Sequence, residues 1–320
     1  MNGLDKHVLL SSADLLAQDK TIWLCTILST YGSAPRPVGS LFATDGEIRL
    51  GSISGGCIED AFLTLINHNQ LDNNITIFDY GSHLAPDGSQ YELPCGGHIK
   101  LLIEKITPVD QAIVHQWLSH INQDSDYIRA VHIESGERRY FQDTINIALD
   151  DSWAICKFQQ KWQLLLLGIS QVSEEIARLG DRAGFKVRLC DMREDYQVSW
   201  GWDKDHGGVD VEWRSPDLFV DQYVDNKTAV LALAHDPRID DLGMMSALES
   251  NAFYIGALGS TKNSERRRER LHRIGEFSYD ELSRLRAPIG LPIGSRTPFE
   301  IAIAVIADII AVKNGISLTV

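Results

Sequence analysis

The feature that most constrains this chain is a change of pattern at residue 161, after which short apolar runs alternate with amphipathic segments. The run WQLLLLG (162–168) is almost continuously apolar. That composition suits a strand covered on both faces, as inside a parallel sheet. SQVSEEIARLGDRAG then reads as a helix, FKVRLCD as a second strand and TAVLALAHD (228–236) as a later one. A helical stretch follows, and AFYIGALGS reads as a further strand ending at glycine. Parallel neighbours need crossover connections, so this alternation predicts a doubly wound α/β domain.

Residues 1–107 read differently, as a small mixed α/β unit. A helix is expected over about 5–18 and a buried strand at TIWLCTIL (21–28). Asp45-Gly46 between short apolar runs signals a hairpin. CIEDAFLTLINH suits a helix, and NITIFDY (74–80) and HIKLLIEKI (98–106) suit strands around a loop rich in Gly and Pro. Between 108 and 160, QAIVHQWLSHI looks helical and YIRAVHIESGERRYF looks like a hairpin around Ser135-Gly136. The expected division is residues 1–160 and 161–320. Near the end, Ser278-x-x-Glu281 and Thr297-Pro298-x-Glu300 both fit the capping box, with Pro298 at the first helical position.

With 30 Lys+Arg against 44 Asp+Glu, the net charge is −14. A chain this acidic is a poor general binder of nucleic acid or anionic membrane, since both are polyanions. The N-terminus mixes acids into its apolar positions and does not read as a signal peptide. Phe299 to Val312 is too short for a membrane span and reads as a buried helix. Five cysteines, odd in number and far apart, suit a reducing cytoplasm better than a disulfide framework.

Six segments can carry chemistry. In Gly51-Ser52-Ile53-Ser54-Gly55-Gly56-Cys57-Ile58-Glu59, glycines allow close approach of a ligand to the backbone. Cys57 at a helix start should have a depressed pKa, and the thiolate is the form that binds metal or attacks. The same residues also suit a tight turn with a packed thiol. Pro94-Cys95-Gly96-Gly97 mirrors the first segment; the two are either unrelated turns or one shared site with soft sulfur donors for a soft metal. Arg36, stiffened between Pro35 and Pro37, can take phosphate or carboxylate in a bidentate way, or be an ordinary loop arginine.

The other three segments belong to the second domain. Gly168-Ile169-Ser170 keeps only the first glycine of a dinucleotide fingerprint, and Ser170 should crowd a pyrophosphate. Asp191 ends the second strand, where a ribose-binding acid often sits. His235-Asp236 closes a later strand at the edge where open α/β sheets bind ligands; His235 is a candidate acid, base or ligand oriented by Asp236, or the aspartates cap a helix beside a packed histidine. Gly259-Ser260-Thr261-Lys262 followed by Arg266, Arg267, Arg268, Arg270 and Arg273 forms an anion nest with a basic strip. The strip can equally be a solvated face with Glu265 and Glu269 as i,i+4 partners.

Together, GSAPRPVGS, GSISGGCIEDA, CGGHIKLLIE, the turn after LLLLG, HDPRIDD, YIGALGSTKN and APIGLPIGSRTPFEIAIAVIADII resemble the xanthine dehydrogenase accessory protein family, XdhC/CoxI. The resemblance implies a Rossmann-like second domain after the cysteine-motif domain. It implies a cytoplasmic, homodimeric chaperone that holds molybdenum cofactor (molybdopterin), protects it during sulfuration and inserts it into a molybdenum hydroxylase. A cysteine desulfurase is the implied second partner. On this reading Cys57 and Cys95 are metal ligands. Arg36, Ser54, Gly55, Gly56, Glu59, Gly96, Gly97, Gly168, Asp191, His235, Asp236, Gly259, Ser260, Lys262 and Arg266 complete the cofactor-binding set. The family usually has Gly-x-Gly where this chain has Gly168-Ile169-Ser170. Two rivals are a nicotinamide-dependent oxidoreductase, against which Ser170 argues because it disfavours NAD, and a docking protein that binds no cofactor.

Overall fold

In the computed structural model the chain divides into two compact units, Met1–Gln160 and Lys161–Val320. The structure describes residues 3–31, 36–54, 57–71, 73–80, 98–121, 126–142, 150–158 and 161–316.

The N-terminal unit runs α1 (Gly3–Ala17), β1 (Ile22–Tyr31), β2 (Leu41–Thr44), β3 (Arg49–Gly51), α2 (Cys57–Asn67), β4 (Ile75–Tyr80), β5 (His98–Ile106), α3 (Ala112–Ile121), β6 (Tyr127–His132), β7 (Arg138–Gln142) and β8 (Trp153–Phe158). Its main sheet has the order β3-β2-β1-β5-β4, every pair antiparallel. Period-two alternation splits the strands between two cores. Ile22, Leu24, Leu41, Ala43 and Ile106 face α1 and α3. Cys25, Ile27, Phe42, Leu101 and Ile103 face Ile58, Phe62 and Leu65 of α2.

A second sheet, β7-β6-β8, is tied to the first by a buried ion cluster. Arg129 of β6 donates both terminal nitrogens to Glu104 of β5 at 2.8 Å, and Arg138 adds a third bond at 2.9 Å. The guanidinium also lies 3.9 Å from the centre of the Trp117 ring. Strand β8 has no counterpart in the sequence expectations, since WAICKF has few partners nearby in the chain.

The C-terminal unit runs β9 (Gln163–Leu167), α4 (Gln171–Arg182), β10 (Lys186–Asp191), β11 (Val211–Trp213), α5 (Pro216–Tyr223), β12 (Thr228–Ala232), α6 (Pro237–Glu249), β13 (Tyr254–Ala257), α7 (Thr261–Ile274), α8 (Tyr279–Ser283), β14 (Leu285–Arg286) and α9 (Pro298–Lys313). All its paired strands are parallel, in the order β11-β10-β9-β12-β13-β14. Numbered within the unit this is 3-2-1-4-5-6, the doubly wound Rossmann order. Leu164 and Leu166 pack under α4 and α9, whereas Leu165 and Leu167 pack under α5 and α6. Each buried leucine contributes about 1.5–3 kcal/mol relative to exposure.

Helices α8 and α9 both begin with complete capping boxes, from Ser278 and from Thr297. The acid inside α9 is also accounted for: Asp308 is buried and accepts from the Tyr254 hydroxyl at 2.8 Å and from Arg286 at 3.0 Å. No helix of the described residues is long and apolar enough to cross a membrane.

Candidate functional site

The turn before Cys57 is organised by a carboxylate. Glu59, 4% exposed, accepts from the Ile53 N–H at 2.7 Å and the Ser54 N–H at 3.0 Å. It also accepts from the hydroxyls of Ser52 at 2.7 Å and Ser54 at 2.8 Å. The Ser54 oxygen in turn takes the Ile58 N–H at 3.1 Å. Burial acts to raise the Glu59 carboxyl, but these bonds outweigh it and bring the pKa to about 2. The acid therefore acts on its own loop, fixing the entry to α2, whose first residue is Cys57. Gly55, Gly56, Cys95, Gly96 and Gly97 lie outside the described residues, as does the Cys57 side chain.

Arg36 is anchored by a long bond of 3.4 Å from its terminal nitrogen to Asp5 of α1, which also accepts the Leu41 N–H. Its Nε is buried without a partner among the described residues. Three other thiols lie among the described residues. Cys25, Cys156 and Cys190 are buried, and burial raises all three, Cys156 to about 12. Such thiols are inert packing groups. Among the described residues no three His, Cys, Asp or Glu side chains group as a metal site.

In the C-terminal unit, the carboxyl ends of β9, β10, β12 and β13 surround the point where the strand order reverses, the usual ligand crevice of this architecture. Gly168 closes β9 with φ +99°, and a Cβ there would lie 2.3 Å from that of Ala234. Ser170 caps α4 and exchanges bonds with Ser173, so the helix start is filled by its own side chains. Asp191 is fully buried and takes the Ile169 N–H at 2.7 Å and the Arg193 guanidinium at 2.7 and 3.0 Å. Burial would raise this carboxyl; Arg193 and the Ile169 N–H hold it below the usual range. The candidate ribose acid is thus internally engaged.

Across the crevice, Asp236 caps α6 and pairs with Arg238, which with the Arg238 N–H brings its pKa to about 2. His235 is exposed with φ +58°. Asp19, Asn69 and Glu276 share that left-handed backbone, but each follows a helix end, where it is the ordinary stop. Among the described residues, His235 is the non-glycine case that closes a strand. Partial desolvation at the crevice, then Arg267 and Arg193, push its imidazole below the ordinary value.

The basic strip of α7 divides. Arg267 reaches Asp240 at 2.8 Å and Asp241 at 3.1 Å, Arg270 reaches Asp241 at 2.7 Å, and Arg268 binds the carbonyls of Leu285 and Ala287. Burial drives Asp240 up to about 6 against the pull of Arg267. The partners expected from Glu265 and Glu269 are replaced by acids of α6, because the inward face of α7 meets that helix. Lys262, Arg266 and Arg273 stay exposed. Arg193, Asp240 and Asp241 are missing from the residues that the sequence marks as a site. The Asp-x-Arg spacing at 191–193 is the local signal for Arg193, and Asp240 and Asp241 lie in the HDPRIDD segment, though not among its assigned site residues.

Comparison with known proteins decides the family. The description "XdhC and CoxI family" matches residues 15–68, and "XdhC Rossmann domain" matches residues 164–309. The chain belongs to the XdhC and CoxI family. Two curated relatives span nearly the whole chain. The "Molybdenum cofactor insertion chaperone PaoD" of Escherichia coli (strain K12) is 24% identical over 97% of this chain and 89% of its own. A probable xanthine dehydrogenase subunit of Bacillus subtilis (strain 168) is 25% identical over 98% of each. A solved structure described as a xanthine dehydrogenase from Bacillus halodurans shares the fold, with TM-score 0.71, 19% identity and 97% coverage of both chains. In this XdhC Rossmann domain the strand order is intact while the α4 phosphate position is taken by Ser170 and Ser173.

Proposed function

We propose that the protein is a molybdenum cofactor chaperone, which holds the sulfurated cofactor and inserts it into a xanthine dehydrogenase-type molybdoenzyme. The observation that carries this reading is family membership, joined to a near full-length relationship with a protein named as an insertion chaperone. Cys57 and Cys95 are its proposed sulfur donors. The donor chemistry fits: Cys57 is the first residue of α2, the end at which a helix carries partial positive charge, and soft sulfur suits a soft metal centre. When bound, the cofactor supplies the molybdenum–sulfur centre that the client uses. The chain's own residues hold, orient and shield it. Glu59 rigidifies the turn, the Gly55-Gly56 and Gly96-Gly97 pairs allow close approach, and Arg36 offers positive charge in an acidic protein.

A cysteine desulfurase as sulfur source, a cytoplasmic location and a homodimer complete the proposal. The test is metal analysis with pterin fluorescence on freshly purified protein. Wild type should carry molybdenum and pterin together, and Cys57→Ala should lose most of both. Equal retention by the variant would overturn the assignment. Titration with NAD(H), followed by fluorescence, should show no binding below millimolar, because Asp191 and the start of α4 are engaged internally.

A further inference from the structure

Three strand-to-helix turns rim the crevice of the C-terminal unit, and in two of them side chains of the unit take up part of the turn's N–H groups. At β9–α4, Asp191 takes the Ile169 N–H and the Ser170–Ser173 pair takes two more. At β12–α6, Asp240 takes the Ala234 N–H and Asp236 the Arg238 N–H. The third turn, β13–α7, is open. Ser260 accepts the Asn263 N–H at 3.3 Å, but the N–H groups of Gly259, Ser260, Thr261 and Lys262 have no acceptor among the described residues. Four adjacent donors at the start of a 14-residue helix suit an anion.

An independent observation marks the same spot. Ser264, on the first turn of α7, is 1% exposed, and its hydroxyl has no partner among the described residues. That oxygen lies 3.8 Å from where a Gly259 Cβ would be, with only the Asn263 Cβ nearer, at 3.6 Å. A buried hydroxyl left unpaired is costly, and here it lies within van der Waals range of the Gly259 Cβ position at the head of the helix. Lys262 and Arg266 lie one turn apart on the same helix and make no ion pair among the described residues, unlike Arg267 and Arg270.

We propose that the Gly259–Lys262 turn, with the Ser264 hydroxyl, binds a terminal phosphate group of a phosphomonoester. The backbone donors and Ser264 hold the oxygens, and Lys262 and Arg266 balance the charge. The inference rests on the chaperone reading and deepens it by giving the C-terminal unit a phosphate subsite on the second half of its sheet.

The full-length protein, labelled with ¹⁵N, is titrated with inorganic phosphate, glycerol phosphate, AMP and NAD while the amides of residues 258–264 are followed. Phosphate and glycerol phosphate should give saturable shifts in the millimolar range. Ser264→Ala and Lys262→Ala should each weaken them about tenfold, the loss of one charge-assisted bond. Ser264→Ala removes an unpaired hydroxyl, so its melting temperature in phosphate-free buffer should match or exceed that of wild type. Equal affinity for glycerol phosphate and AMP would point to a phosphate-only subsite, as for a pterin phosphate. AMP at least about tenfold tighter, or 1.4 kcal/mol, would point to a nucleotide source. NAD, whose two phosphates each carry a ribose ester and the shared anhydride bond and so offer no terminal monoester, should not compete. Absence of saturable shifts, indifference to both substitutions, or NAD binding as tightly as phosphate would overturn the site. Cys57→Ala should leave these titrations unchanged, so failure here and failure of the chaperone reading are separable.

Discussion

Asp191 and Arg193, two residues apart at the carboxyl end of β10, form a bidentate pair at 2.7 and 3.0 Å, and the same carboxylate receives the Ile169 N–H from the turn after β9. One acid thus ties the ends of two adjacent strands to each other. Replacing it by alanine leaves a partly buried guanidinium and an unpaired N–H. Asp191→Ala should therefore cost about 3 kcal/mol, the scale for breaking a buried charge pair. Urea unfolding followed by tryptophan fluorescence measures this, and a midpoint within error of wild type would remove the tie.

Glu59 makes a pH-dependent prediction. Its pKa falls from 4.5 in the unfolded reference to about 2 in the folded chain. A depressed carboxyl contributes stability that is present above the unfolded value and lost as pH falls through the folded one. Wild type should thus outlast Glu59→Gln by on the order of 3 kcal/mol near neutral pH, with the gap closing between about pH 4.5 and pH 2. A gap that stayed constant across that window would mean that the loop does not use the charge. The same substitution should lower cofactor retention, because it loosens the turn into Cys57.

How far the sequence is legible follows from how local each signal is. Strand β9 is readable because Leu164 to Leu167 are buried on both faces, a condition only an interior parallel strand imposes. The capped starts of α8 and α9 are readable because cap and partner lie three residues apart. Strand β14 is not, being two residues held by the ladder to β13. The division of the α7 arginines is equally hidden. Arg266 and Arg267 are adjacent and chemically identical, and only the packing of α6 makes one buried and the other solvated. For the site, the Asp191 position is readable, but not that Arg193 already occupies it. Cys95 lies outside the described residues.

The Arg129–Glu104 pair predicts an asymmetry between breaking and removing a buried charge pair. Both side chains are almost wholly inaccessible, at 1% and 0%. Arg129→Met leaves Glu104 with Arg138 as its remaining cation and should cost about 3–5 kcal/mol. Combining it with Glu104→Leu removes both desolvated charges, and apolar replacement of a buried pair is often neutral. The double variant should recover at least half of the loss, and a double-mutant cycle by chemical denaturation measures the coupling. Arg138 is 14% exposed, so it can turn to solvent. A single variant costing less than about 1 kcal/mol would show that the pair behaves like a surface bridge.

Gly168 predicts how closely β9 and β12 must approach at the point where the strand order reverses. Its φ of +99° already disfavours any side chain. A methyl group would also lie 2.3 Å from the Ala234 Cβ, 2.5 Å from its Cα and 2.8 Å from its nitrogen. The last two are backbone atoms fixed by the bond from Ala234 N–H to Asp240. Gly168→Ala should therefore destabilise the unit by about 2–4 kcal/mol, the combined scale of backbone strain and overpacking. Adding Ala234→Gly removes only the first contact, so rescue should be small. Full rescue, measured by the same urea unfolding, would show instead that the close approach is a matter of side chains, and that the strand ends are free to part.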